Sequence, residues 1–196
     1  MKNTEFDIFK PNNTLSLEKG RLLISEPLSS DLFFNKTVVL LVEYSKKETI
    51  GFVLNKPSEY YLSDVFNEEF NYNPLLNYGG PVGADTLHFI HKLGDIIPGT
   101  VEVLPGLFWG GDFEVIKLMA KSGKLSDEDI RFFIGYSGWA PNQLDDEIAE
   151  NYWLIAEHFD NIAMEFRNKD NWKKLFDRIG NKYKHWANVP DDPSLN

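Results

Sequence analysis

The sequence predicts an α+β fold in which helices pack against a mostly antiparallel sheet. Short runs rich in Val, Ile, Leu, Phe and Trp recur between turns that contain Gly or Pro, as is typical of antiparallel strands. A few other stretches repeat their apolar residues with helical spacing. With 196 residues, 42% hydrophobic composition and no cysteine, the chain is long enough to bury a core without disulfides, so we expect one domain.

The predicted strands are short and dominated by β-branched or aliphatic residues. One of them, residues 50–55, follows a polar turn and is expected to form a hairpin with the strand before it. Pro57 is expected to close that strand, because proline has no amide hydrogen to donate to a ladder. The predicted strands cover residues 21–25, 37–44, 50–55, 75–78, 86–91, 100–104, 107–109, 132–136 and 152–156.

The predicted helices are marked by capping residues as well as by apolar periodicity. Asp112 is expected to cap a helix that ends at Gly123. A compact helical turn is predicted over residues 125–130, in which Ser126 and Asp129 form a capping box. The remaining predicted helices are short ones near residues 63–66 and 143–148 and a clear one whose apolar residues are Trp172, Leu175, Phe176 and Ile179. Residues 159–166 are predicted to form a turn or a short helix.

Both ends of the chain are expected to lie outside the domain, which should span residues 20–186. Residues 1–19 carry no sustained period and predict a loosely ordered arm, and residues 187–196 predict a tail rich in Pro and Asp. The first residues contain no apolar signal segment, and no later apolar run approaches the length of a membrane span. We therefore expect a cytoplasmic protein without membrane contact.

The charge of the chain argues against binding of duplex DNA. The formal net charge is -10, whereas affinity for DNA requires a positive face. Residues 167–185 are basic and interleaved with Trp172, Phe176 and Tyr183, a composition that also occurs where proteins bind single-stranded nucleic acid. A helix with buried aromatic residues and solvated lysines explains the same pattern. We expect an unidentified protein partner rather than nucleic acid.

The stretch around Trp139 combines glycines, an aromatic residue and the start of an acidic helix. Gly138 is expected to turn the backbone, and Pro141 to fix its direction before a helix that starts at Gln143. Carboxylates in the first turns of that helix are favoured by the exposed N–H groups and the helix dipole. Because a large indole is costly to leave in water, we expect Trp139 to pack inward.

Several segments, in their order along the chain, resemble the YqgE/AlgH family. They are residues 20–24, 38–41, 51–57, 79–82, 110–112, 135–139 and 143–148. The resemblance implies a mixed, mostly antiparallel sheet that is curled towards a barrel, with helices packed outside. Members of this family are small bacterial proteins described as transcriptional regulators without an agreed biochemical activity, so the resemblance lends a fold and no mechanism. Many relatives end in Gly-His-Ala, whereas this chain has Lys184, His185, Trp186 and Ala187.

The candidate motifs for catalysis and metal binding are either incomplete in this sequence or explained by structural roles. Ser137 lies in a segment close to the Gly-x-Ser-x-Gly elbow, but Trp139 replaces the last glycine. His88 and His91 fall on a predicted strand, where positions i and i+3 face opposite sides. The acids at positions 145, 146, 147 and 150 are explained by solvated charges at a helix start more readily than by a cation site. We expect no catalytic residue, metal or cofactor.

Two functional hypotheses remain open from the sequence. A non-enzymatic regulatory or protein-interaction protein is the leading one, and a small-molecule binder or hydrolase that uses the loops at residues 55–57, 79–81 and 138–143 is the alternative. A concave pocket with converging polar groups would favour the alternative, and a flat apolar patch the first. The residues predicted to form the functional surface are Asn55, Lys56, Pro57, Gly79, Gly80, Pro81, Asp112, Trp139, Gln143 and Glu147.

Overall fold

The computed structural model describes residues 9–29, 31–159 and 161–190, and within them the chain forms ten strands and five α-helices. The strands are β1 Leu22–Ser25, β2 Val38–Tyr44, β3 Thr49–Val53, β4 Pro57–Tyr61, β5 Leu75–Tyr78, β6 Val82–His91, β7 Val101–Leu104, β8 Leu107–Trp109, β9 Ile130–Trp139 and β10 Trp153–Ala156. The helices are α1 Leu62–Phe66, α2 Phe113–Lys121, α3 Gln143–Ala149, α4 Ile162–Glu165 and α5 Asp170–Arg178, followed by the short 3₁₀ helices Asn181–Tyr183 and Trp186–Asn188.

The strands form one curled sheet that does not close into a barrel. Its order is β10-β1-β2-β3-β9-β6-β8-β7, and β5 joins it at β9 and carries β4 on its other side. Among the described strands, every pairing is antiparallel except that of β5 with β9. The α+β class and the mixed, mostly antiparallel sheet predicted from the sequence are confirmed.

Strand β9 holds the two halves of the sheet together. β6 lies along one of its edges, while β3 and β5 share the other. Between these two partners, Gly135 adopts a φ of 63°, and a side chain there would meet the carbonyl oxygens of Val82 and Gly80. Only glycine meets both demands, so the strand can change partners at this position.

Alternate residues of the first strands face two different cores, as the period of a strand requires. Leu22 and Leu40 join the core that lies under α5, where Trp172 is fully buried. Leu23 and Val39 point to the opposite side and pack in the core that contains Trp139, Trp153, Leu144 and Ile155. Helix α2 covers a third core, which contains Phe89, Ile116, Ala120 and Phe132.

The two longest predicted helices, α2 and α5, are confirmed. Asp112 caps α2, because its Oδ1 atom accepts a hydrogen bond from the Glu114 amide at 2.9 Å. In α5, Trp172 and Phe176 are buried, and the basic residues of the helix lie on the exposed side. None of the helices in the described residues is both long and apolar enough to cross a membrane.

Some local predictions are wrong. Gly138 does not turn the chain, because it pairs with Ile50 inside β9, and the turn comes at residues 140–142. The compact helical turn predicted at residues 125–130 is, by contrast, present: the amides of Asp129 and Ile130 donate to the Ser126 carbonyl, Ser126 and Asp129 bond as expected, and the turn leads directly into β9. Strand β3 ends before Pro57 as predicted, but Pro57 begins a further strand, β4, that was not predicted, and proline is tolerated there because β4 pairs only with β5.

The segment before β1 lies along the edge of the sheet. Asn13 donates a hydrogen bond to the Trp153 carbonyl at 2.9 Å and accepts one from the Ile155 amide at 2.7 Å, so it satisfies the outer edge of β10. Leu15 and Leu17 pack against the core that contains Trp139. The rest of the predicted arm, residues 1–8, and residues 191–196 of the predicted tail lie outside the described residues.

Candidate functional site

The residues predicted to form one functional surface are found in three places. Residues 55–57 and 79–81 lie side by side, since Pro57 pairs with Asn77. Trp139, Gln143 and Glu147 lie together at the far end of β9, while Asp112 lies apart at the start of α2. Trp139 lies five positions beyond Ile134, the last residue of β9 that pairs with β5, which is about 17 Å along a strand.

Asn55 is a buried side chain that fixes the chain on both sides of it. Its exposed fraction is 1%, its Oδ1 atom accepts from the Val38 amide at 2.9 Å, and its Nδ2 atom donates to the Lys36 carbonyl at 2.8 Å. Both partners belong to the chain that enters β2. Asn55 thus joins the end of the β2–β3 hairpin to its beginning and is not itself open to a ligand.

Lys56 is half-buried beside an aromatic ring. Its ammonium group donates to the Phe33 carbonyl and lies 4.1 Å from the centroid of the Phe33 ring. Burial is the main cause that lowers the pKa of Lys56, the charge of Lys169 adds to it, and Asp31 opposes it. Pro57, the next residue, is exposed.

Gly79 and Gly80 are buried because a neighbouring backbone leaves no room for a side chain. A Cβ atom on Gly79 would lie 2.3 Å from the Gly135 carbonyl oxygen, and one on Gly80 would lie 2.0 Å from the Tyr136 carbonyl carbon. Both distances are far below van der Waals contact. The two glycines therefore permit β9 to pass close by, and Pro81, which follows them, is exposed.

Arg131, which the sequence analysis missed, holds the two loops from inside. Its guanidinium group is fully buried and donates to the carbonyls of Leu54 at 2.7 Å and Ala163 at 2.6 Å, as well as to Asn77 Oδ1 at 2.9 Å. Burial holds the pKa of this guanidinium well below its usual range. The only signal in the sequence for this role of Arg131 was the position of a charged residue within an apolar strand.

At the far end of β9, a carboxylate joins two tryptophans. Glu147 Oε2 accepts hydrogen bonds from Trp139 Nε1 at 2.8 Å and from Trp153 Nε1 at 2.7 Å. The other oxygen, Oε1, accepts from Gln143 Nε2 at 2.9 Å. Trp139 is 6% exposed and Trp153 3%, so the prediction that Trp139 packs inward is confirmed.

This network is assembled from three separate elements. Gln143 Oε1 accepts from the Ala140 amide at 3.0 Å, which sets the turn between β9 and α3. Phe34 stacks on Trp139 with ring centroids 6.5 Å apart and meets Trp153 edge-on at 5.4 Å. Glu147 thus receives only neutral donors in these bonds, and its charge is stabilised by dipoles.

A cleft of about 390 Å³ opens in front of these groups, and we call it the indole cleft. It is lined by Ser25, Ser29, Asp31, Phe34, Gln143, Glu147, Tyr152 and Trp153. Two of these residues are acids, and no Lys, Arg or His occurs among the described residues of the lining. The cleft therefore combines negative charge, hydroxyl and amide groups, and the three aromatic residues Phe34, Tyr152 and Trp153 in one concave surface.

Most of the lining was invisible to sequence reasoning. Gln143 and Glu147 were predicted as surface residues, but Phe34 and Trp153 are far apart along the chain. They meet because β1 pairs with β10, which places Ser25 opposite Trp153. Pairing between two distant strands leaves no local pattern in the sequence. The only sequence signal was therefore the strand-like composition of residues 152–156.

The structure also places the residues of the weaker catalytic and metal hypotheses. Ser137 is fully buried in β9 and its hydroxyl donates to the Gly79 carbonyl at 3.0 Å, so it does not stand on an exposed elbow. His88 packs against Phe52, whereas His91 stacks on Phe108. Among the described residues, no group of three or more acidic or histidine side chains is placed to hold a metal ion.

A second surface feature is an exposed apolar area formed by β4, α1 and the start of β6, which we call the tyrosine patch. Its most exposed apolar members are Tyr60 and Val65, which are 45% and 46% exposed. A shallow cleft of about 330 Å³ between Tyr60, Val65 and Leu87 lies within it. Exposed apolar side chains grouped around one cleft commonly mark contact with another protein.

Comparison with known proteins gives matches over nearly the whole chain. A family model described as AlgH-like matches residues 22–184. A UPF0301 protein of Bacteroides thetaiotaomicron is 39% identical over 197 residues, which is 99% of this chain and 100% of the relative. A UPF0301 protein of Bacteroides fragilis is 41% identical, with the same coverage.

Two solved structures have a similar fold. The solution structure of the AlgH protein from Pseudomonas aeruginosa matches with a TM-score of 0.70 and 26% identity, over 85% of this chain and 94% of that one. A crystal structure of a protein from Corynebacterium diphtheriae also reaches a TM-score of 0.70, at 18% identity, over 93% of this chain and 96% of that one. The latter likeness concerns the fold alone.

Proposed function

Since this chain belongs to the AlgH-like family, for which no activity is assigned, we propose from its own site that it is a non-enzymatic regulatory protein that binds a small organic cation in the indole cleft. The observation that carries the proposal is the pairing of two acids, Asp31 and Glu147, with two aromatic walls, Phe34 and Trp153. Organic ammonium and guanidinium groups are attracted both by carboxylates and by the faces of aromatic rings.

The size and charge of the cleft fit such a ligand. About 390 Å³ lies within the range of small-molecule sites. The hydrogen bonds to Glu147 come from the neutral groups of Trp139, Trp153 and Gln143, so a bound cation would supply an opposite charge that these donors do not. A neutral or anionic ligand would gain no such electrostatic attraction.

The polar groups of the cleft are engaged in ways that favour recognition over reaction. Asp31 Oδ1 accepts from the amides of Phe33 at 2.7 Å and Phe34 at 2.8 Å, which fixes the loop that carries the Phe34 ring. Ser25 Oγ accepts from the Thr37 amide at 2.8 Å. Side chains held in this way form a preorganised wall, and we therefore assign no catalytic residue and no cofactor.

The proposal is tested by calorimetric titration with small amines and guanidines, each paired with a neutral amide of similar size. We expect the cations to bind and the amides not to. Asp31→Asn should weaken binding by about tenfold or more, since it removes a charge and keeps an oxygen for the Phe33 and Phe34 amides. Glu150→Gln, an equal charge change at an exposed position at the end of α3, outside the lining of the cleft, should leave affinity within about twofold.

Two results would contradict the proposal. One is preferential binding of the neutral or an anionic member of a pair, because the charge of the cleft would then have no role. The other is an Asp31→Asn protein that is folded by circular dichroism and binds the cation as tightly as the wild type.

A second candidate function, contact with a protein partner, is favoured by the tyrosine patch. Two acids, Asp64 and Asp85, line the same shallow cleft as its apolar members. Charge complementarity therefore points to a partner with an apolar centre and a basic rim. A regulatory role would then be exerted through this partner and not through duplex DNA, which a protein of net charge -10 disfavours.

Capture from nuclease-treated lysate tests this second candidate with matched variants. Val65→Asp places a charge in the patch, and Leu118→Asp places the same charge at another exposed apolar position, on α2. A partner that contacts the patch should be retained by wild type and by Leu118→Asp and lost with Val65→Asp. Equal retention by both variants would exclude the patch as its contact.

A further inference from the structure

A second cleft, of opposite charge, lies on the other side of the loop that borders the indole cleft. Its volume is about 230 Å³, and four lysines line it, Lys36, Lys56, Lys169 and Lys173, with Asp170 as the one acid of the described lining. We call it the lysine cleft. Four ammonium groups around one small concavity are unusual for a protein whose net charge is -10, because like charges repel at short range.

Two of these lysines are held in place by the fold. The backbone of Lys36 has a positive φ of 51°, its carbonyl accepts from Asn55, and its ammonium group donates to the Val189 carbonyl at 2.7 Å. The ammonium group of Lys56 donates to the Phe33 carbonyl. Each of these two ammonium groups therefore has a backbone carbonyl as a hydrogen-bond partner at the wall of the cleft, and its position does not depend on a ligand.

The other two lysines come from the start of α5. Lys169 precedes the first residue of that helix, Lys173 lies one turn further, and both are exposed. Lys169 lies close enough to Lys56 for its charge to lower the pKa of that ammonium group, an effect second to burial. A bound anion would relieve this repulsion, because it would attract both groups.

Trp172 provides an independent observation at the same place. This residue lines the lysine cleft and is fully buried, and its indole Nε1 has no hydrogen-bond partner within the described part of the chain. Buried donors are nearly always paired, and an unpaired one calls for an explanation. An acceptor oxygen of a ligand that reaches this nitrogen from the cleft would supply the missing partner.

From these observations we infer that the lysine cleft binds a small anion with several phosphate charges, of the pyrophosphate class. Lysines act as point charges towards phosphate oxygens, and a compact anion with two linked phosphates offers charge to more than one of them at once. The small volume of the cleft and the net charge of -10 of the whole chain disfavour a long polyanion such as nucleic acid. The inference is independent of the proposed function, since it concerns other residues and a ligand of opposite charge.

Calorimetric titration of the full chain with sodium pyrophosphate at constant ionic strength tests the inference, with orthophosphate and sulfate as comparison anions. We expect one pyrophosphate per chain, bound more tightly than either comparison anion because it presents more charge to the four lysines. Lys169→Gln and Lys173→Gln, two exposed positions, should each weaken binding by about tenfold or more.

The matched controls are Lys46→Gln and Lys47→Gln, which remove the same charge from the exposed turn between β2 and β3. Their affinity should stay within about twofold of the wild type, since exposed charges at a distance are screened by salt. The inference fails if pyrophosphate shows no binding, if it binds no better than sulfate, or if the control variants lose as much affinity as Lys169→Gln and Lys173→Gln.

Discussion

The indole nitrogen of Trp139 lies 2.8 Å from a carboxylate oxygen of Glu147, and this bond fastens the last residue of β9 to helix α3. The same oxygen accepts from Trp153 in β10 at 2.7 Å. One side chain thus joins two strands that are separated in the sheet by β1, β2 and β3. Its removal would leave two buried N–H groups without an acceptor.

We therefore predict that Glu147→Ala lowers the free energy of unfolding by about 2–4 kcal/mol, the cost of two unpaired buried donors. Glu147→Gln should cost less, because its amide oxygen still accepts a hydrogen bond. Urea unfolding followed by tryptophan fluorescence measures both. Glu150→Ala, at the exposed end of the same helix, should change stability by less than about 0.5 kcal/mol. Similar losses for Glu147→Ala and Glu150→Ala would show that the network contributes little.

Trp139 itself should be a structural residue. Trp139→Ala is expected to lose about 3–5 kcal/mol, because it removes a buried aromatic side chain and leaves a cavity next to Phe34 and Trp153. Trp139→Phe should retain part of this, since it fills much of the space but has no N–H for Glu147. The midpoint of urea unfolding distinguishes these outcomes, and an unchanged midpoint for Trp139→Ala would assign the residue to ligand contact instead.

The glycines of the predicted surface should be required by close backbone contact. A Cβ atom on Gly80 would lie 2.1 Å from the Ser137 amide nitrogen, and neither backbone can move without disturbing β9. We expect Gly80→Ala to yield little folded protein. Gly106→Ala is the matched control, because Gly106 has a φ of 77° and no neighbour within 4 Å of an added Cβ. It should lose only about 1–2 kcal/mol for its left-handed backbone. Equal thermal melting of the two variants would contradict this explanation.

Local patterns predicted the elements well because each carried its own signal. The apolar run of β2 and the spacing of Trp172 and Phe176 in α5 are visible without knowledge of the rest of the chain. Gly138 and Gly135 illustrate a feature that local patterns could not predict, which is the position of the irregularity in β9. Either glycine could have bent the strand, and the choice falls on Gly135 because the chain at Gly80 and Val82 crosses there. That crossing is a long-range contact with no local pattern.

The same reason explains what could be foreseen of the sites. Glu147 and Lys56 were predicted as surface residues, but their partners Trp153 and Lys169 come from distant segments that meet only through the pairing of β1 with β10 and the packing of α5. A buried arginine such as Arg131 breaks the expectation that charged residues lie outside. It is tolerated because carbonyl groups surround it, and no spacing in the sequence reports their positions.

The last prediction concerns His91, whose side chain is fully buried. Its hydrogen bonds fit the neutral form of the imidazole ring and not the protonated form. Its Nδ1 atom accepts from the Leu93 amide at 3.1 Å, and its Nε2 atom lies 2.9 Å from the Gly110 carbonyl oxygen. A proton on Nδ1 would replace an acceptor by a donor that faces another donor. Burial accordingly lowers the pKa of His91 from its ordinary 6.5, while the bond to Gly110 opposes this, and burial lowers the pKa of His88 as well.

The sign of the pH dependence follows from these shifts. In the unfolded chain both histidines take up protons as the pH falls through 6.5, whereas in the folded protein they resist protonation to a lower pH. The unfolded state then binds more protons, so stability is full above this range and declines on acidification from about pH 7.5 to about pH 5.5. His91→Gln, which keeps a side-chain acceptor and donor but cannot titrate, should show a smaller decline in urea midpoint between these two pH values. Since His88 still titrates in this variant, part of the decline should persist, and it should shrink further in the double variant with His88→Gln. An equal decline in wild type and His91→Gln would mean that the folded protein accommodates the charged imidazole, contrary to the hydrogen bonds described.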